Sequence, residues 1–146
     1  MPAEALFGLC NGAALLAWVA LILVPPRRYV TVVLRWGVIT AFAFLYTLLI
    51  ALYFFRVEGG GFFTLPAVQR LFTSPEVALA GWVHYLAFDL FIGLWIADRG
   101  DAMGLSRWIQ APILVATFMF GPFGLLLFYS VLGAERLRSR VALVVP

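Results

Sequence analysis

Apolar residues run almost unbroken along four stretches of this chain, and the strongly polar residues fall between them. The first stretch, about 5–24, ends at Pro25-Pro26-Arg27-Arg28, and the second, about 30–55, ends ahead of Glu58-Gly59-Gly60-Gly61. The third, about 77–97, stops at Asp98-Arg99-Gly100-Asp101, and the fourth, about 110–132, precedes Arg136, Arg138 and Arg140. At 1.5 Å per residue, roughly 20 apolar residues match the hydrocarbon core of a bilayer, so each stretch predicts a spanning helix. Within the fourth, Phe120-Gly121-Pro122-Phe123-Gly124 predicts a kink, because Pro122 has no N–H and crowds the preceding turn. Gly121 and Gly124 would let another helix or a flat ligand approach the backbone there. Between the second and third stretches, Leu65, Val68, Leu71 and Phe72 recur at three- and four-residue spacing, bounded by Pro66 and Ser74-Pro75. That pattern predicts a short amphipathic helix on the membrane surface, either a lid or loading ramp for a lipidic ligand or a loosely packed connector. The expected fold is therefore an all-α membrane protein. It has four transmembrane helices in a bundle, one interfacial helix between spans 2 and 3, and a single domain over residues 1–146.

Composition agrees. Of the 146 residues 64% are hydrophobic and 12% charged, where soluble domains carry about 25% charged residues. The net charge of +3 comes from ten basic residues, all arginine, scattered singly or in small groups between the apolar runs. They read as headgroup and topology residues, and no nucleic-acid surface is expected. No basic residue precedes the first apolar run, which is expected to be a retained span rather than a cleaved leader. The same asymmetry, with Arg27 and Arg28 just after it, favours both termini outside. Lone Cys10 offers neither an intrachain disulfide nor a cysteine metal cluster.

The chemistry lies in the third stretch, where the only histidine, His84, and Asp89 sit five residues apart. Ionisable residues at bilayer depth are costly and usually mark function. On a helix the two are rotated by about 140°. Asp89 shares its face with Trp82 and Tyr85, and His84 shares its face with Gly81, Phe88 and Phe91. One reading is an acid/base pair, catalytic in His84 and Asp89, flanking a ligand lined by aromatic residues including Phe88. The other is structural: Asp89 held by Tyr46, Thr117 or Arg35, and His84 held by Asn11, with Asn11 an interhelical hydrogen-bonding residue. One histidine cannot supply bis-histidine haem ligation, the carboxylates are too scattered for a metal, and no phosphate loop or serine-nucleophile motif occurs. No metal and no cofactor are expected. A small proton-coupled transporter is a further alternative, although four spans without two-half symmetry leave little room for a path.

The run Gly81-Trp82-Val83-His84-Tyr85-Leu86-Ala87-Phe88-Asp89-Leu90-Phe91, with Thr117-Phe118-Met119-Phe120-Gly121-Pro122-Phe123-Gly124 beyond it, resembles the ABA4-like (abscisic-acid-deficient 4) membrane proteins, whose plant members are linked to neoxanthin synthesis. The resemblance places the shared polar positions on His84 and Asp89, together with Trp82, Gly121 and Pro122. Leu94 stands where many members have a basic residue, and Leu105-Ser106-Arg107 where many have a histidine. No plastid transit segment precedes the first span, so a bacterial-type member in a bacterial cytoplasmic membrane is expected. The resemblance implies an isomerase-type protein acting on a carotenoid or related isoprenoid without a redox cofactor. The alternative is a non-catalytic protein that binds a carotenoid, retinoid or quinone or assists a biosynthetic partner. Combining both lines, the substrate is expected against Trp82, Tyr85, Phe88, Asn11, Tyr46, Thr117, Gly121 and Pro122. The expected partners are membrane lipids, a hydrophobic small molecule, and either a second copy or a biosynthetic chain.

Overall fold

The computed structural model describes residues 2–24 and 27–142, except for the side chains of Arg27 and of residues 136–142. The expected stop at Pro25-Pro26 and the side chains of Arg136, Arg138 and Arg140 lie outside the described residues. Among the described residues every regular element is helical: α1 (Ala3–Leu23), α2 (Arg27–Val33), α3 (Thr40–Tyr53), α4 (Leu65–Leu71), α5 (Pro75–Ala102), α6 (Arg107–Phe120) and α7 (Pro122–Ala142). Leu34–Ile39 joins α2 to α3 as a stretch of π-helix, and Phe54–Arg56 closes α3 with a 3₁₀ turn. The wider π turn is met by a side chain as well, since the Thr40 hydroxyl donates to the Arg35 carbonyl five residues back at 3.1 Å.

Three helical segments are long and apolar enough to cross a membrane: Ala3–Leu23, Arg28–Arg56 and Pro75–Ala102. Their surfaces confirm what they face. Leu16, Trp36 and Phe44 are 71%, 75% and 71% exposed, which in water would forfeit the burial that drives folding and in lipid costs nothing. These helices extend the expected boundaries modestly; α5 runs five residues past the expected stop at Ala97, through Asp98-Arg99-Gly100-Asp101 to Ala102. The short helix expected between spans 2 and 3 is α4. Thr64 caps it, its hydroxyl accepting from the Ala67 N–H at 3.3 Å, and Pro66 occupies the first turn, where a missing N–H costs nothing.

The fourth expected span differs. Residues 110–132 do not form one kinked helix: α6 ends at Phe120, and α7 starts afresh at Pro122. Gly121 between them takes φ +46° and ψ −98°, a conformation that side-chain-bearing residues avoid. The chain then folds back on itself. A Cβ placed on Gly124 would collide with the Thr117 hydroxyl and with the Thr117 backbone nitrogen and Cα, so the first turn of α7 lies directly against the last turn of α6. Proline explains a break but not its direction; the absent side chain at Gly124 is what permits the hairpin. Both arms, Arg107–Phe120 and Pro122–Glu135, are apolar but shorter than a span.

The backbone groups into two compact units, one up to Phe91 and the other from Ile92 onward, with α5 contributing to each. In the first, Cys10 and Ala14 of α1, Phe42 and Leu49 of α3, and Leu79, Ala80, Val83, Leu86 and Ala87 of α5 form one buried cluster. In the second, Leu114 and Phe128 are fully buried, and Trp95 packs edge-on to Phe128 with centroids 5.5 Å apart. The turn from α5 to α6 is stapled by Gln110. Its side-chain amide lies over Gly100 and donates to the Leu105 carbonyl at 2.7 Å and to Asp101 Oδ1 at 2.9 Å.

Candidate functional site

The 75–91 part of α5 presents two chemically different faces. Residues 82, 85 and 89 are separated by three and four positions and so share one of them. Trp82 Nε1 donates to Asn11 Oδ1 of α1 at 2.7 Å, and its ring leans on Phe7 (5.6 Å) and Tyr85 (5.3 Å). Tyr85 in turn donates to Asp89. Asp89 is 9% exposed, and its Oδ2 has no hydrogen-bond partner among the described residues. Two sequence-level expectations are corrected here. Asn11 does make an interhelical hydrogen bond, but to Trp82 rather than to His84. Asp89 is held from its own helix, one turn back, by Tyr85 rather than by Tyr46. The first has a simple cause: Trp82 and His84 are rotated by about 200° on the helix, and it is Trp82 that α5 turns toward α1 at the level of Asn11.

His84 occupies the other face. Its imidazole stacks on Phe88 with centroids 4.5 Å apart and planes 28° apart, and packs against Tyr46 of α3 at 5.3 Å. Neither His84 nor Tyr46 hydrogen-bonds to another described residue. The histidine stands at the edge of a groove of about 260 Å³ walled by Tyr46, Ile50 and Phe54 from one side and Val77 and Gly81 from the other. The connection between α3 and α5 supplies its remaining wall through Phe62, Leu71 and Phe72. Phe72 can seat there because position 81 is glycine: an added Cβ would stand 2.7 Å from the Phe72 ring. The amphipathic α4 is thus anchored by buried Leu71 and closes one side of the groove. Of these wall residues the sequence pattern pointed to Tyr46 and His84, to Gly81 on the His84 face, and to Leu71 and Phe72 in the short amphipathic helix; Ile50, Phe54, Phe62 and Val77 it did not single out.

Of the expected site residues, then, His84, Tyr46 and Phe88 come together, and Asn11, Trp82, Tyr85 and Asp89 form a second group on the opposite side of α5. Asp89 does not line the groove that His84 borders. Thr117, Gly121 and Pro122 belong to the second unit, where they build the α6–α7 hairpin. Thr117 is fully buried, and its hydroxyl donates to the Ile113 carbonyl of its own helix at 2.8 Å. Chemically, the groove offers an apolar, aromatic-walled space with one imidazole able to accept or donate a proton and one phenol able to donate a hydrogen bond.

No curated protein and no solved structure matches the chain. The sequence profile of the family described as ABA DEFICIENT 4-like matches residues 5–128, which takes in the first two spans as well as the half that carries the His84 and Gly121-Pro122 motifs. The long apolar helices and this match agree, and the chain is a membrane protein belonging to the ABA4-like family.

Proposed function

We propose that the protein is an intramembrane isomerase that binds the end group of a carotenoid or related isoprenoid in the α3–α5 groove and moves a proton with His84. The observation that carries this reading is an imidazole with no hydrogen-bond partner among the described residues, bordering an aromatic groove about a third of the way along a spanning helix. Family membership directs the reading toward the class of proteins linked to neoxanthin synthesis.

The conversion of an epoxide end group to an allenic alcohol suits one such group. A base takes the proton from the vinylic carbon, and the C–H electron pair becomes the second of two cumulated double bonds. The adjacent epoxide C–O bond breaks, and the oxygen takes up a proton. Atoms and electrons balance within the substrate, so the product has the same mass and no redox partner is consumed. A neutral imidazole that accepts the first proton can deliver it to the oxygen a few ångströms away. Tyr46, beside the ring, supplies a donor to the same oxygen. Asp89 enters as the carboxyl group nearest His84 along α5. Asp89→Asn keeps an acceptor for Tyr85 while removing the ionisable carboxyl group, and so separates its contribution from that of His84. In this reading α6 and α7 together form the fourth membrane element of the bundle, and the host membrane is a bacterial cytoplasmic one.

Expression in a host that accumulates epoxy-carotenoids, followed by pigment chromatography, tests the proposal. Wild type yields an isomer of unchanged mass, and His84→Ala, folded to the same level, yields none. A second reading, non-catalytic carotenoid or isoprenoid binding, is favoured by the separation of Asp89 from the groove. It predicts co-purifying pigment that is chemically unaltered.

A further inference from the structure

A second groove lies on the same seam. It holds about 280 Å³ and is walled by apolar residues, Ile39 and Ala43 on one side and Ala87, Phe88 and Phe91 on the other. The two grooves follow one antiparallel register. Going along α5 from Val77 through Gly81, His84 and Phe88 to Phe91, the facing positions run from Phe54 back through Ile50, Tyr46 and Ala43 to Ile39. Only the Tyr46–His84–Phe88 ring stack separates them. At 1.5 Å per residue the seam from Val77 to Phe91 is about 21 Å long.

The shapes of the two ends differ. The end beside α4 is a chamber walled by three phenylalanines, Phe54, Phe62 and Phe72, the last seated over Gly81. The far end is a slot that exists because residues 43 and 87 are alanines. Between them sit His84 and Tyr46, the polar side chains that line the seam, both without a hydrogen-bond partner among the described residues. Their depth decides what they can recognise. From the start of the apolar run at Val77, His84 lies about 10 Å along the helix, a third of the way into a hydrocarbon core about 30 Å thick. A phospholipid carries its polar groups at the surface and would leave both side chains facing bare methylenes.

From this register we infer that the α3–α5 seam is one continuous track for a single ring-headed polyene chain. The ring sits in the phenylalanine chamber, the chain runs through the slot over Ala43, and an oxygen function near the ring lies at the His84–Tyr46 waist. The inference rests on the isoprenoid reading above and adds to it the direction of the ligand and the residue that measures chain length. Ala43 is that residue: it is exposed, lines the slot and lies outside the buried cluster, so its side chain can be enlarged without disturbing the core.

Two fluorescent or quenching probes with the same ring separate the chamber from the slot: β-ionone, with a short side chain, and all-trans-retinol, with a long one. Purified full-length protein in detergent is titrated with each. Ala43→Trp fills the slot and is expected to weaken retinol about tenfold or more while leaving β-ionone within about twofold. Ala43→Leu gives a smaller loss of the same kind should the tryptophan variant fold poorly. Ala41→Trp, exposed on the same helix but lining neither groove, leaves both probes unchanged. Equal losses for the two probes, no loss for either, or displacement of retinol by phosphatidylcholine alone would overturn the inference and leave the isomerase reading standing. Retention of the expected probe pattern with no pigment conversion in cells would do the reverse. Binding of neither probe by the wild type would remove both.

Discussion

Gly124 offers the sharpest structural prediction, because its neighbours are backbone atoms that cannot rotate away. Replacing it with alanine places a methyl carbon on the amide nitrogen and Cα of Thr117, and the only relief is to part α6 from α7 at the hairpin. Overpacking of this kind costs about 1–3 kcal/mol, and a contact with backbone belongs at the upper end. Against it stands the gain of about 1 kcal/mol from replacing a helical glycine with alanine. The net expectation is a loss of about 2 kcal/mol. Gly133 is the control, lying on the same helix with nothing within 4 Å of an added Cβ, so Gly133→Ala keeps only the gain. The two variants should therefore differ by about 3 kcal/mol in unfolding by sodium dodecyl sulfate in mixed micelles, followed by far-ultraviolet circular dichroism. Adding Thr117→Ala to Gly124→Ala removes the hydroxyl and leaves both backbone atoms in place, so it recovers less than half of the loss. Equal stability of the two glycine variants would refute the hairpin contact. Full rescue by Thr117→Ala would show that a side chain, not the backbone, sets it.

Other consequences follow from the polar residues. Asn11→Ala and Trp82→Phe each remove the 2.7 Å bond between α1 and α5. Each should cost about 0.6 kcal/mol, up to about 1.7, and a double-mutant cycle should show that the two losses are one. Gln110→Ala leaves the half-buried Leu105 carbonyl without its donor and removes the amide from Asp101. It should destabilise the protein by about 1–2 kcal/mol, measured in the same micelles, whereas Gln69→Ala, off the buried side of α4, should be neutral within about 0.5.

The spans were legible in the sequence because hydropathy and length are local quantities, and a bilayer reads them one segment at a time. Ala3–Leu23 and Pro75–Ala102 needed no tertiary information. The α6–α7 hairpin was not legible. Its residues are as apolar as a span, and the glycine that decides it acts through Thr117, seven positions away, on the far side of the turn. The faces of α5 followed from the 100° step alone: Tyr85 reaches Asp89 and Phe88 reaches His84 because each pair is four residues apart. What stood opposite each face did not follow, since it depends on how α1 and α3 are placed around α5. Asn11 therefore met Trp82 instead of His84. Gln110 escaped notice for a related reason. Within an apolar run a glutamine looks like a blemish, and its role appears only once the α5–α6 turn brings Asp101 and the Leu105 carbonyl to its amide.

The central claim is that His84, at the waist of an aromatic groove, moves a proton on a bound isoprenoid. Purified wild type and His84→Ala, reconstituted in liposomes with an epoxy-carotenoid, test it when product is followed by chromatography and mass, and bound pigment by co-purification. The account predicts an isomer of unchanged mass from the wild type, and from His84→Ala bound but unconverted pigment. Conversion by His84→Ala at the wild-type rate, or unaltered pigment on both proteins, would contradict it.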